Sequence, residues 1–346
     1  MVTDVIPAKS LKSDKRETVL VTGARGFLGH AVQKLLRRKG YGVIALDRQN
    51  AEAAEDANSV SGRDVRMDIT DSARLRRLFE SRTIDRIIHL AAILPTAAQQ
   101  QPELATRVNI EGSLNLLELT RQYNVRRFVF GSSLSVYGTC SEDEMVPESH
   151  RIAPEDLYGA SKRYVEQLGQ SYRERHGLEF VSLRIGRVVG TGARSVTSAW
   201  RSQIFKELRA SSPVEILLPY SASERILLVR VDDVAKMLVK LMEAPRPHFS
   251  VYNAVCESVL VGDLKREIER INPNLRVVLG DQEATGNPRR LDASRFATEF
   301  QFQIAPIFDQ LRKAAVHDSR LATRETLARS KSRPRSVRGV RRNRRR

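Results

Sequence analysis

TVLVTGARGFLG, residues Thr18–Gly29, is a short β-branched run that stops abruptly at three glycines, Gly23, Gly26 and Gly29. The run predicts a buried strand, and the G-x-x-G-x-x-G spacing predicts a tight turn that opens a helix. Glycine at these places lets the turn tighten, lets backbone N–H groups approach a pyrophosphate, and lets the helix pack on the strand. Leu28, Val32, Leu35 and Leu36 fall on one helical face, and Gly40 stops the helix.

Outward from this unit, short apolar runs alternate with helical periodicity as far as Ile185. Candidate strands are 18–22, 41–46, 64–68, 84–91, 126–132 and 180–185, and Ile110, Leu114 and Leu117 mark a further core-facing helix. Six such strands imply an α/β protein with a doubly wound parallel sheet and right-handed crossovers. After Gly186 the pattern loosens into a smaller, mixed α/β part. A helix is expected at 198–210 and another at 262–271, with strands near 214–218, 225–231 and 275–279. The expected division is an N-terminal extension (1–17), a dinucleotide-binding domain (18–186), a substrate-binding part (187–328, with 225–245 packing back on the first domain) and a disordered basic tail (329–346).

The 346 residues are 41% hydrophobic and 29% charged, which suits a globular core. No run of roughly 18 apolar residues is present, and the first residues lack a secretory h-region. Two cysteines, Cys140 and Cys256, are too few for a disulfide framework or a structural zinc site. A cytoplasmic setting is expected, without metal or membrane. The net charge of +17 is concentrated in the last 18 residues, RSKSRPRSVRGVRRNRRR; their ten basic side chains set aside, 48 Lys/Arg face 41 Asp/Glu. Nucleic acid is therefore at most a weak partner, reached through the tail.

Asp47 follows the second strand, 18 residues past Gly29. A carboxylate there accepts hydrogen bonds from the ribose hydroxyls of an adenosine and repels a 2′-phosphate, which favours NAD; the adjoining Arg48 keeps NADP possible. Asp68 and Ile69, after the third strand, are placed to meet the adenine. Tyr158 and Lys162 stand at i and i+4 on one helix face, with Ser133 25 residues upstream at a strand end. An ammonium beside a phenol favours phenolate, so Tyr158 could exchange a proton with a substrate hydroxyl while hydride moves to a nicotinamide. Ser133 would hold the same oxygen, and Lys162 could anchor the nicotinamide ribose.

Together the segments TGARGFLG (22–29), MDITD (67–71), HLAA (89–92), VNIEGSLNLLE (108–118), GSSLSVYG (131–138), YGASK (158–162), LRIGRVVG (183–190) and VRVDDVAK (229–236) resemble the extended short-chain dehydrogenases/reductases of the NAD-dependent epimerase/dehydratase family. The resemblance implies a Rossmann-type domain, NAD(P), and a sugar, sugar-acid or nucleotide-sugar substrate. It maps Ser133, Tyr158 and Lys162 onto the catalytic triad, and Phe27, Leu28, Asp47, Asp68, Ile69, Leu90, Ala91, Ala92 and Asn109 onto the cofactor site. A homodimer is expected by analogy alone.

Two departures narrow the reading. Leu134 and Ser135 stand where dehydrating relatives carry acids, which disfavours elimination of water. Arg187 stands where relatives often place Asn, and a guanidinium there suits a carboxylate or phosphate. Arg225 and Arg289 or Arg290 fall roughly where relatives grip a diphosphate. His89 is expected at a strand end near the cofactor, and Asp232-Asp233 as a helix-start turn. The triad serves an epimerase and a dehydrogenase equally, and both stay open. A non-catalytic dinucleotide-binding sensor or scaffold is the alternative.

Overall fold

The protein is described from a computed structural model that covers residues 16–48, 64–192 and 199–317. Most of the expected N-terminal extension and the basic tail at 329–346 lie outside the described residues. The main sheet has seven strands, numbered along the chain: β1 Thr18–Thr22, β2 Gly42–Asp47, β3 Asp64–Arg66, β4 Arg86–His89, β5 Arg127–Ser133, β6 Glu179–Ile185 and β7 Val251–Asn253. Their spatial order is β7-β6-β5-β4-β1-β2-β3, with every neighbouring pair parallel.

Strand alternation divides the core in two. Val19, Val21, Val43, Ala45 and Ile88 enter one layer with the helices Phe27–Arg38 and Val231–Glu243. Leu20, Ile44, Leu46, Ile87 and Phe128 enter the other, against Ser72–Ser81, Gly112–Gln122 and Leu157–His176. A sheet covered on both faces has continuously apolar strands, which is why β1 and β2 read as unbroken runs. The order reverses between β1 and β4, so the loops after those strands part to opposite faces and leave a crevice at their carboxyl ends.

Two expectations change. The sheet has a seventh strand: Val251, Tyr252 and Asn253 pair with Ser182, Leu183 and Arg184. Three residues are too short to show an alternation, so this edge strand is invisible in the pattern. The helical stripe at 110, 114 and 117 also breaks. Leu114 is 36% exposed, and the buried positions are Val108, Leu116, Leu117 and Leu119. A π-helical turn at Arg107–Glu111 precedes the helix; its extra residue rotates the register.

The second part has its own core around Trp200, Ile204, Ile216, Leu218, Ile226 and Leu264. The helix expected at 198–210 is Trp200–Lys206. Strand Arg225–Arg230 lies parallel to Arg187–Val189 and antiparallel to Glu257–Leu260; Val214–Tyr220 pairs with Leu275–Gln282, and Met145–Val146 with Arg290–Leu291. Among the described residues, no helix is long and apolar enough to cross a membrane.

Candidate active site

The glycine turn is as tight as its spacing requires. Gly23 has φ +65°, and a Cβ there would sit 2.7 Å from the Ala91 nitrogen; a Cβ on Gly29 would collide with the Gly23 carbonyl. Helix Phe27–Arg38 starts at Gly26 with no side-chain cap and no acid in its first turn. Its leading N–H groups and positive dipole end therefore face the crevice without an internal acceptor, which fits a pyrophosphate. Asp47 closes the far end: its Oδ2 accepts the Arg25 N–H at 2.8 Å, while the Arg25 guanidinium pairs with Asp64 at 2.7 Å. Arg48 is exposed. The uncapped helix start and the carboxylate at the end of β2 thus fit the pyrophosphate and ribose of a dinucleotide.

Across the crevice the 90–93 loop is braced by a buried chain of hydrogen bonds. Ser113 Oγ donates to the Asn109 carbonyl at 2.6 Å, so it accepts from His89 Nε2 at 2.9 Å. That leaves His89 Nδ1 to accept from Thr22 Oγ1 at 2.6 Å, and Thr22 Oγ1 in turn accepts from Leu90 and Ala91 N–H. Full burial, with Lys162 nearby, pushes the His89 pKa down to about 3, so the ring stays neutral and fixed. Leu90, Ala91 and Ala92 line the crevice half-buried. Asn109, expected among the cofactor-lining side chains, is buried; its amide holds both Ile93 backbone groups and Ser161 Oγ. It braces the loop from beneath. Ile69 is likewise buried against Gly112, and Asp68 Oδ1 caps its own turn through Thr70.

Ser133, Tyr158 and Lys162 do come together. β5 ends at Ser133, whose Oγ accepts the Ser135 N–H and donates to Ser135 Oγ, both at 3.1 Å, and lies near enough to the Tyr158 phenol to favour its charged form. Asp156 caps the helix that carries Tyr158, accepting the Gly159 N–H at 2.6 Å. Lys162 is buried, donates to the Gly131 carbonyl at 2.7 Å, and lies 5.5 Å from the Tyr158 ring centre and 4.6 Å from that of Phe130. One expectation needs correction. Burial pushes the Tyr158 pKa up to about 12 in the free protein, with the nearby Ser133 opposing. Lys162 is itself driven down to about 7 by burial, with Glu166 opposing. Desolvation outweighs the pairing that the i, i+4 spacing suggested. Below this cluster, Glu166 is held by Arg184 at 2.8 and 2.9 Å and by Ser132 at 2.6 Å. Leu134 is buried in an apolar cluster with Val136 and Tyr137.

The arginines divide. Arg187 is buried and donates from Nε to the Tyr220 hydroxyl at 3.1 Å. Arg201 reaches the same Tyr220, and Tyr158 and Arg201 lie close enough to shift each other's titration. Arg290 is turned to the exposed Asp143 at 3.2 Å, because its strand lies beside Met145–Val146 at the rim. Arg225 is half-buried at a strand start, opposite Leu260 and apart from the interactions that tie Arg187, Arg201 and Tyr220 to Tyr158. Sequence reading missed Arg201 and Tyr220. The available signals were a cation three and four residues before the buried Ile204 and Phe205, and a tyrosine continuing the inward register of Ile216 and Leu218. Cys140, Glu144 and His150 also bring one ligand atom each within 4.8 Å of one another, with His150 Nε2 on Glu144 at 2.9 Å.

A parallel doubly wound sheet, a glycine loop at its switch point and a Ser/Tyr/Lys cluster beside that loop define an NAD-dependent enzyme of the extended short-chain dehydrogenase/reductase type. The NAD dependent epimerase/dehydratase family matches residues 19–254, and the chain belongs to it. Mitochondrial L-threonine 3-dehydrogenase of Bos taurus is 27% identical over 272 residues, 78% of this chain and 72% of that protein. UDP-glucuronate 4-epimerase 5 of Arabidopsis thaliana is 36% identical over 187 residues, 51% of this chain and 43% of that protein. The UDP-glucose 4-epimerase of Thermus thermophilus, solved with NAD, superposes with a TM-score of 0.72 at 25% identity, covering 87% of this chain and 98% of that one. The chain is thus an NAD-dependent epimerase or dehydrogenase, and nothing in these likenesses favours the sensor alternative.

Proposed function

We propose that the chain oxidises a secondary hydroxyl of a small carboxylate-bearing substrate, with NAD as acceptor and Tyr158 as base. The observation that carries this reading is the cluster in which Tyr158, on the helix beside the end of β5 at Ser133, has buried Lys162 5.5 Å from its ring centre. The uncapped helix and Gly23–Gly29 would hold the pyrophosphate, and Asp47 the adenosine ribose. Phe27, Leu28 and Leu90–Ala92 would line the rest.

When held by these residues, NAD would supply the hydride acceptor, and its positive charge would favour the ionised form of the nearby phenol. Tyr158 receives the hydroxyl proton as that hydride leaves, Ser133 steadies the oxygen, and Lys162 would hold the nicotinamide ribose. Two electrons depart with the hydride, one proton passes through Tyr158, and the product is a ketone. With Leu134 and Ser135 beside Ser133, no acid is available to expel water, so elimination is disfavoured.

The relatives are named for L-threonine and UDP-glucuronate, and both molecules pair a carboxylate with a secondary alcohol. The threonine-dehydrogenase match spans 72% of that protein and the epimerase match 43%, which supports a dehydrogenase first and an epimerase second. The test is incubation with NAD and L-threonine, D-glucuronate or UDP-glucuronate, with the reduced-nicotinamide band followed. Net NADH, lost by about 1,000-fold or more in Tyr158→Phe, is expected. Interconversion without NADH would make the enzyme an epimerase, and full activity in Tyr158→Phe would refute the assigned base.

A further inference from the structure

We infer that Arg187, Arg201 and Tyr220 form a subsite for the substrate's carboxylate beside Tyr158, and that this grip presents one face of the reacting carbon. The placement of the reacting carbon rests on the oxidation reading above; the anion subsite itself does not.

Arg187 is buried and Arg201 half-buried, and the two guanidiniums lie near enough to feel each other's charge. Among the described residues, no carboxylate lies within ion-pairing distance of Arg187 or Arg201, and the Arg201 Nε is buried without a hydrogen-bond partner. Burial first, and then the charge of Arg187, pull the Arg201 pKa below its ordinary value. Glu224, which feels Arg187, is committed elsewhere: its Oε2 accepts from Arg289 at 2.9 Å and from the Ala284 N–H at 3.0 Å.

The donors are held in place before any ligand arrives. The Arg201 carbonyl accepts the Gly190 N–H at 3.0 Å, and Ser202 Oγ accepts the Gly192 N–H at 3.0 Å, so the loop after Arg187 is fastened to the helix that carries Arg201. The Arg201 guanidinium lies 5.8 Å from the Trp200 ring centre, and Trp200 meets Tyr220 edge-on at 6.3 Å. Since the Tyr220 oxygen accepts from Arg187 Nε, its own proton is left to donate. Two neighbouring guanidiniums, one holding a hydroxyl and the other with an unpartnered Nε, suit an oxoanion. Gly190, fastened to Arg201, and Gly192 lie against the Phe27 ring at the start of the glycine-loop helix, and Arg201 is near enough to Tyr158 for each to feel the other's charge. A substrate pinned so near its reacting carbon cannot turn over to offer its other face, which an epimerase would require.

Ligand binding to NAD-saturated enzyme tests the subsite without any need for turnover. The probes are L-threonine and D-glucuronate, each against its carboxylate-free counterpart, L-threoninol and D-glucose, with glucose 6-phosphate as the phosphate arm. At least one carboxylate should bind better than its counterpart. Arg201→Gln should weaken that carboxylate by roughly 10- to 150-fold, as loss of a charged hydrogen bond predicts, while barely changing D-glucose and not weakening the cationic L-threoninol. Arg201→Lys should restore part of the preference and, together with the melting temperature of each variant, separates this loss from misfolding. Equal binding of every carboxylate and its counterpart, an unchanged preference in Arg201→Gln, or tighter binding of glucose 6-phosphate would overturn the assignment. Carboxylate binding without any NADH formation would leave the subsite standing and defeat the oxidation reading.

Discussion

Replacing Lys162 with methionine should stabilise the free protein while abolishing its chemistry. Lys162 is 3% exposed, and burial carries its pKa from the usual 10.5 to about 7. Between those values the unfolded chain binds a proton that the folded chain does not, so wild-type stability rises with pH across that window. Above the unfolded value both states are neutral and the cost vanishes; below the folded value it is complete. At roughly 1.4 kcal/mol per pH unit, the cost is about 4 kcal/mol near pH 7 and falls to about 1.5 kcal/mol near pH 9.5. Methionine fills similar volume without charge but forfeits the hydrogen bond to Gly131, a loss of about 1 kcal/mol. Lys162→Met should therefore be more stable by about 3 kcal/mol near pH 7, and the advantage should disappear by about pH 9.5. Urea denaturation of both proteins across this range measures the difference, in which every other titrating group, Cys256 included, largely cancels. A wild type whose stability relative to Lys162→Met does not change with pH would refute the reasoning.

Three further outcomes follow from the geometry. Gly29→Ala drives a methyl into the Gly23 carbonyl, so the loop must open; a cost of about 1–3 kcal/mol in stability and a loss of NAD binding are expected by denaturation and titration. Asp47→Asn removes the charge that opposes a 2′-phosphate, and the ratio of NADP to NAD affinity should rise roughly tenfold, read by competition binding. Glu166→Gln leaves Arg184 buried without its counter-charge, and the urea midpoint should fall by the equivalent of about 3 kcal/mol.

The parallel sheet and its glycine loop are legible in the sequence because both are local. β1, its turn and the following helix occupy 21 consecutive residues from Thr18 to Arg38, and each position there obeys one period or one steric demand. The Ser133–Tyr158–Lys162 cluster is legible only as a spacing that resembles a known one. Asn109 shows the limit: its residue type fits the cofactor mapping, but the π-turn at Arg107–Glu111 rotates it beneath the loop. Strand Val251–Asn253 exists only because β6 offers an edge, and Arg201 meets Arg187 only through the fastening of Gly190 to a later helix. Electrostatics were the least legible of all. The i, i+4 spacing of Tyr158 and Lys162 promises a lowered phenol, whereas the depth of burial, which no spacing reveals, raises it.

The central claim is that hydride, not a proton, leaves the carbon that bears the substrate hydroxyl. Deuterium placed on that carbon, followed by mass spectrometry of the nicotinamide after one turnover in ordinary water, tests it directly. The account predicts deuterium at C4 of the reduced nicotinamide and almost no transfer when Tyr158 is phenylalanine. Deuterium released to solvent, with none on the nicotinamide, would contradict it.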